Sequence, residues 1–340
     1  MLIREQLERR ERQGLRDYAV FSDASRGRPV PEPEDDYRMV FQRDRDRILH
    51  TKAFRRLKRK TQVFLAPQGD HYRTRLTHTL EVAQIARTVA RALFLNEDLT
   101  EAIAMGHDLG HTPFGHAGER ALNQLFSPGF DHAEQSLRVV DKLEWRSGGR
   151  GLNLSYEVRN GIRYHSAGKA LLWGEEASGP ETLEALVVSV CDAIAYINHD
   201  IDDALRARAI APDDLPREAL SALGHGASSR IDRMVTGLIK GSADGRIGVL
   251  GEVLEPMMIL REYLYREVYP SAAINTEISR AENLLRELFA YLIENPCEEI
   301  LNGDPDDSLE RRTVDFVAGM TDDFALRLYA ELLMPSHWQR

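Results

Sequence analysis

Apolar residues recur along most of this chain at helical rather than strand spacing. Val82, Ile85, Ala86, Val89 and Leu93 follow the i, i+3, i+4, i+7 pattern of one helix face. A longer stripe runs through Leu183, Leu186, Val187, Val190, Ile194, Ile197, Ile201 and Leu205, with Pro180 placed to suit a first helical position. Leu260, Leu264, Leu284, Leu285, Leu288 and Leu292 continue the pattern between Leu254 and Leu292, and a last helix is predicted from about Leu309 to Leu333. Asp98 and Glu101 resemble a capping box opening a helix from Thr100 to Leu109, which Gly110 and Pro113 then stop. A shorter helix is predicted from Glu134 to Trp145, broken by Ser147-Gly148-Gly149. Residues 1–20 read as a polar helix, and Ser22 to Asp36, with three Pro and clustered acids, as a loop or mobile arm. Residues 36–64 are again helical, followed by a turn signal at Pro67-Gln68-Gly69-Asp70, while 211–229 and 241–251 look like connectors. Strand-like alternation is scarce and no repeat recurs at a fixed period, so the expected fold class is all-α.

Composition narrows this further. At 340 residues and 43% hydrophobic content the chain can fill a sizeable core, with a length prior of about two domains. It has no run of about 18 apolar residues and so no membrane-spanning segment. Met1-Leu2-Ile3-Arg4-Glu5 turns charged at once, without the apolar core of a signal peptide. The two cysteines, Cys191 and Cys297, make neither a disulfide framework nor a metal pair, which fits a reducing, cytoplasmic setting. A net charge of −10 argues against general avidity for nucleic acid. From Arg43 to Lys60, however, nine Lys/Arg face two Asp, a local +7 that reads equally as a phosphate-facing segment and as a solvated helix face or subunit contact. Glu294 to Glu310 carries seven carboxylates and no Lys or Arg.

The candidate chemistry gathers in His107-Asp108-Leu109-Gly110-His111-Thr112-Pro113-Phe114-Gly115-His116-Ala117-Gly118-Glu119. With His78 near the start of the upstream helix and Asp192 inside the downstream one, it supplies His, His-Asp and Asp, a set suited to a divalent cation. Imidazole serves Mn, Fe, Zn and Ni, and carboxylate favours Mn, Mg and Ca. His116 and Glu119 stand three apart, so on a helix opening near Gly115 they are neighbours. That pairing suits proton transfer at neutral pH, or a helix-start glutamate meeting the macrodipole. Arg75, one turn before His78, is either a guanidinium for a metal-held phosphate or a surface arginine. Asp192, Tyr196 and Asp200, spaced by four, share a helix face. No GxxxxGK[ST] loop is present, so a P-loop NTPase is not supported.

These residues resemble the HD-domain superfamily of metal-dependent phosphohydrolases, and within it the deoxyguanosinetriphosphate triphosphohydrolase-like family. The generic His, His-Asp, Asp signature is weak. The closer match includes Phe41 to Arg47, Phe54 to Lys58, Thr61-Gln62-Val63-Phe64, Arg75 to Val82, the whole His107 to Glu119 string, Phe130 to Arg138 and Asp192 to Tyr196. It continues with Leu260-Arg261-Glu262, Val268-Tyr269 and Ala318-Gly319-Met320-Thr321-Asp322, and spans roughly residues 37 to 333. The resemblance implies a variable arm over 1–36, an HD core over 37–210 with its metal site within 75–200, and a helical phosphohydrolase-associated region over 211–340. It implies cleavage of a deoxynucleoside triphosphate, dGTP or dNTPs broadly, into deoxynucleoside and inorganic triphosphate by a homo-oligomer, and it leaves open whether a dNTP also acts as activator.

By the same resemblance His78, His107, Asp108 and Asp192 would bind the metal, Mn or Mg, with Fe, Ni or Zn also compatible. His116 and Glu119 would handle protons, His111, His132 and Arg75 would meet phosphate oxygens, and Gln62 would face the 3′-hydroxyl. Tyr196 would pack where a 2′-hydroxyl would clash, and Asp200 would accept from the 3′ side. A vertebrate relative has lysine directly after the metal aspartate. Here that position is Ala193, leaving Arg230, Arg233 and Lys240 as candidates for the outer phosphates. Two alternatives stand: another HD-type hydrolase of a nucleoside monophosphate, cyclic nucleotide or alarmone, or a nucleotide-sensing or single-strand-binding regulator on the same fold.

Overall fold

The computed structural model describes residues 2–62, 73–174 and 178–335. The turn signal at Pro67 to Asp70 and the Val63-Phe64 end of one motif lie outside them. Helices dominate, and the one sheet among the described residues is a two-stranded hairpin, so the fold is all-α. In order these are α1 (Ile3–Gly14), α2 (Val40–Leu49), α3 (Lys52–Arg56), α4 (Arg75–Ala92), α5 (Glu97–Gly106), α6 (His116–Leu125) and α7 (His132–Arg138). Next come the hairpin β1 (Trp145–Arg146) and β2 (Gly149–Arg150), α8 (Tyr156–Leu172) and α9 (Leu183–Arg206). The remainder comprises α10 (Arg217–Leu223), α11 (Ala227–Gly241), α12 (Gly251–Tyr263), α13 (Ala272–Glu294), α14 (Glu298–Leu301), α15 (Leu309–Ala318) and α16 (Asp322–Leu333). None of the described helices is long and apolar enough to cross a membrane.

Several boundaries differ from the sequence expectation, each for a local reason. The helix expected from Thr100 to Leu109 starts at Glu97, because Asn96 accepts the Leu99 amide and is its N-cap. Asp98 and Glu101 instead accept from Gln42 and Arg45 on α2. Pro180 stays outside α9, whose cap is Thr182. The expected helix from Glu134 to Trp145 divides into α7, a π-helical turn at Val139–Leu143, and β1, with Ser147-Gly148 at the hairpin tip. The 211–229 connector contains α10, which buries Ala219, Leu220 and Leu223. Gly319 splits the last helix into α15 and α16. No periodicity foretold α8.

The apolar residues fall into two cores. The larger joins α2, α4, α5, α8 and α9 with α10–α12, through Ile48, Val82, Ile103, Ile162, Ile194 and Leu260. The smaller joins α6 to α13, α15 and α16, through Ala121, Leu122, Leu285, Leu288 and Val314. Thus α6, early in the chain, packs with the late helices. The N-terminal stretch is tied to the larger core by Arg28, whose guanidinium donates to Asp44 and to the Asn153 carbonyl at 2.7 Å, while Asp44 also accepts from Ser155 N at 2.8 Å. The Asp44 side chain is wholly buried. Much of the +7 segment is likewise occupied internally: Arg47 pairs with Glu32, Arg45 with Glu101, and Lys60 is buried.

Candidate active site

Gly106 ends α5 and the chain turns sharply through His107 to Gly110. Gly110 is required there, since a Cβ would lie 2.1 Å from the Ser136 backbone nitrogen on α7. Phe114 then adopts a left-handed φ of 62°, and Gly115 follows at φ 57°, ψ −131°, before α6 begins at His116. A non-glycine residue there costs on the order of 1–3 kcal/mol. Two tethers offset it: the Phe114 amide donates to Asp322 at 2.9 Å, and its ring is buried in the smaller core.

Helices α4 and α9 carry His78 and Asp192 to this turn. The Nε2 of His78 lies 3.0 Å from Asp192 Oδ1, and that of His107 lies 3.4 Å from Asp108 Oδ1 and 3.9 Å from Asp192 Oδ1. Their partners fix the tautomers. His107 Nδ1 donates to the Ala104 carbonyl at 2.7 Å, which leaves Nε2 as a buried lone pair with no partner in the protein. His199 Nε2 meets Glu81 at 2.7 Å, so its Nδ1 accepts from His78 Nδ1 at 3.2 Å and His78 Nε2 faces Asp192 as an acceptor. The atoms of His78, His107 and Asp192 converge closely enough for a shared divalent cation, with the outer hydrogen bonds orienting them, while Asp108 also groups with His111 and His132. Burial opposes ionisation of Asp108 and Asp192. The Arg75 guanidinium nonetheless holds Asp108 well below the usual carboxylate range, and the Lys169 ammonium does the same for Asp192. Arg75 Nη1 is 2.8 Å from Asp108 Oδ2, and Lys169 Nζ is 2.6 Å from Asp192 Oδ2.

Beside this cluster lies a second group of imidazoles, gathered around Glu119. Glu119 accepts from His116 Nδ1 at 3.0 Å with one oxygen, and from His132 Nδ1 at 2.8 Å and its amide at 2.9 Å with the other. Burial alone would push His132 down, but Glu119 more than reverses this and raises its pKa. His132 Nε2 lies 3.2 Å from His165 Nε2, and His165 Nδ1 lies 2.8 Å from the Ile162 carbonyl. His111 stacks on His132 with ring centres 4.1 Å apart, and burial beside Arg75 keeps it neutral. His116 is the open member, with 65% of its side chain exposed.

One cleft of about 590 Å³ unites these groups, a size suited to a nucleotide-scale ligand. It is lined by eleven of the twelve residues singled out in the sequence: Gln62, Arg75, His78, Asp108, His111, His116, Glu119, His132, Asp192, Tyr196 and Asp200. The twelfth, His107, lies fully buried behind them. Gln62 Oε1 and Asp200 Oδ1 have no protein partner. Burial pushes the Asp200 carboxyl up to about 7, against a hydrogen bond from the Tyr269 hydroxyl.

Residues 75–197 match the HD domain and residues 247–331 the phosphohydrolase-associated domain. A deoxyguanosinetriphosphate triphosphohydrolase-like protein of Caldanaerobacter subterraneus is 50% identical over 342 residues, covering 99% of this chain and 98% of that protein. Those of Desulfatibacillum aliphaticivorans and Clostridium perfringens are 46% and 43% identical, with at least 98% of each chain covered. The chain belongs to this HD-domain, deoxyguanosinetriphosphate triphosphohydrolase-like family. It is thereby a member of a phosphohydrolase family with His and Asp side chains arranged to hold a divalent metal.

Sequence reasoning missed several residues that line or support this family's cleft here. Arg230 is buried against Asn198 and the His225 carbonyl, and neither Arg233 nor Lys240 lines the cleft. The cations that do, besides Arg75, are Arg120, Arg261 and Lys169 from the unforeseen α8. Arg261 stacks 5.0 Å over Trp173 and 5.2 Å over Tyr265, and Lys169 stands 5.9 Å from the Tyr196 ring. His165 and Lys169 are four apart, and Asp192 and His199 seven apart, so helical spacing held a signal, but only once α8 and the length of α9 were known.

Proposed function

We propose that this protein is a metal-dependent dNTP triphosphohydrolase, splitting a deoxynucleoside triphosphate into deoxynucleoside and inorganic triphosphate. The observation that supports this most is the polarity of this cleft: His and Asp side chains able to hold a metal, a Glu119-linked imidazole pair and four cations adjoin a wall of Tyr196, Gln62, Asp200 and Tyr269. His78, His107, Asp108 and Asp192 would hold Mn or Mg, which supplies Lewis acidity and lowers the pKa of bound water. His116, kept in place by Glu119, delivers the proton that the departing sugar oxygen needs, a contribution of about 10²–10⁴ in rate. Lys169, Arg261 and Arg75 neutralise the triphosphate, and His111 and His132 meet its oxygens through hydrogen bonds. Gln62 and Asp200 hydrogen-bond the 3′-hydroxyl through their unpartnered oxygens, and Tyr196 fills the space a 2′-hydroxyl would need.

The test is product analysis with the four dNTPs, singly and mixed, in Mg and in Mn. Tripolyphosphate and deoxynucleoside in equal amounts are expected, abolished by chelation and restored by metal. Release of phosphate or pyrophosphate would instead assign another HD-type hydrolysis. Stimulation by mixed dNTPs over single ones would identify a nucleotide activator, and light scattering at assay concentration tests the homo-oligomer expected of this family.

A further inference from the structure

The Ala318-Gly319-Met320-Thr321-Asp322 stretch lies outside the cleft, yet two of its residues grip the catalytic turn. Asp322, 6% exposed, accepts the Phe114 amide with Oδ1 at 2.9 Å, and the Thr61 amide with Oδ2 at 2.9 Å together with the Thr61 hydroxyl. The Ala318 carbonyl accepts from Lys60 Nζ at 2.8 Å, and the same ammonium donates to the carbonyl of His111. The link between α15 and α16 therefore holds two strands of chain at once. One leads from Lys60 to Gln62 and pairs with the start of α4, where Arg75 N donates to the Lys60 carbonyl at 3.1 Å. The other runs from His111 to His116. Between them, Phe114 is held in a left-handed conformation that it would not keep unaided.

We propose that Asp322 is a positioning residue for the reaction, through which the C-terminal helices set the orientation of His116 and Gln62. This rests on the functional reading above for its kinetic consequence, but not for its structural one. Without the Asp322 acceptor, the buried Phe114 amide loses its partner, the Phe114-Gly115 pair relaxes, and the imidazole that follows turns away from Glu119. Among the described residues, the candidate metal ligands make no direct hydrogen bond to this link, so metal content is expected to hold while turnover falls.

The test compares Asp322→Ala and Asp322→Asn with Asp323→Ala, an exposed neighbour on the same helix, as control. Asp322→Ala is expected to lower kcat by about 10–10²-fold with KM within about threefold, since small misplacements of reacting groups cost this much. Metal per chain stays at the wild-type value, and amide exchange in peptides spanning 111–119 quickens at least about tenfold while α9 stays protected. Asp322→Asn, which keeps one acceptor, recovers part of both effects and decides the matter if the alanine variant does not fold. Wild-type exchange over 111–119 in the variants, or a fall in kcat that tracks lost metal, overturns the proposal. If the wild type turns over no dNTP, the functional reading fails, and the exchange measurement still decides this one.

Discussion

At the metal end of the cleft, His78, His107, Asp108 and Asp192 are at most 4% exposed and come from α4, the turn after α5, and α9, all packed in the larger core. At the other end, His116 stands 65% open at the start of α6, a helix whose apolar face belongs to the smaller core shared with α13, α15 and α16. The candidate ligands thus sit on helices of the larger core, while the His116–Glu119 pair rests on a helix packed against the C-terminal helices. Metal binding and turnover should therefore be separable by mutation, and the two cores should respond differently.

The largest effect is expected at the metal end. His107→Ala should lose its metal by elemental analysis and fall to background turnover. Asp108→Ala should do the same and also melt lower, because it leaves Arg75 buried without its carboxylate, a cost of about 3–5 kcal/mol. A full metal complement in Asp108→Ala would remove that residue from the ligand set. Next come His116→Ala and Glu119→Gln, each lowering kcat by about 10²–10⁴ while retaining metal. If the pair acts as one unit, the double variant is little worse than the worse single one. Multiplicative losses would show two independent roles.

Smaller is the effect of Tyr196→Ala. It should narrow the ratio of dNTP to rNTP turnover by about tenfold in competition assays, the scale on which steric pockets discriminate. Its metal content should not change. The smallest effect concerns Lys60, at the junction of the two cores. Burial lowers its pKa from 10.5 to about 7, against the pull of Asp322. Between these values the unfolded chain binds a proton at this site that the folded chain does not, so the contribution to stability is complete above 10.5 and fades as pH falls toward 7. The melting-temperature advantage of wild type over Lys60→Met should therefore grow as pH rises from about 7 to 10.5. A constant difference would mean that Lys60 titrates normally in the fold.

The same contrast explains what could be read from the sequence. The helical class and the metal end were visible because α4 and α9 are strictly periodic, and a His-Asp pair just before a glycine marks a helix end with chemistry on it. Helix α8 was not visible. Its sequence is broken by Gly161 and Gly168, whose added Cβ atoms would lie 2.5 Å from Ile103 Cδ1 and 2.3 Å from Ser189 Oγ. Those glycines exist in the packed molecule as points of close approach to α5 and α9, a property that no one-dimensional period contains. Lys169 and His165 were lost with the helix. Likewise, the affiliation of α6 with the late helices depends on which apolar faces meet, and both faces look alike along the chain.

The Arg28–Asp44 pair bears on where this chain can be cut. A boundary near residue 36 looks natural from composition, yet a protein trimmed there would keep Asp44, at 0% side-chain exposure, and discard the guanidinium that neutralises it. Such a trim removes both the Arg28 partner and part of the chain packed over Asp44, so it opens this edge of the larger core to water. The smallest portable version of this phosphohydrolase fold therefore begins upstream of Arg28, and a fusion or crystallisation variant that starts later would need Asp44 replaced by a neutral side chain in the same step.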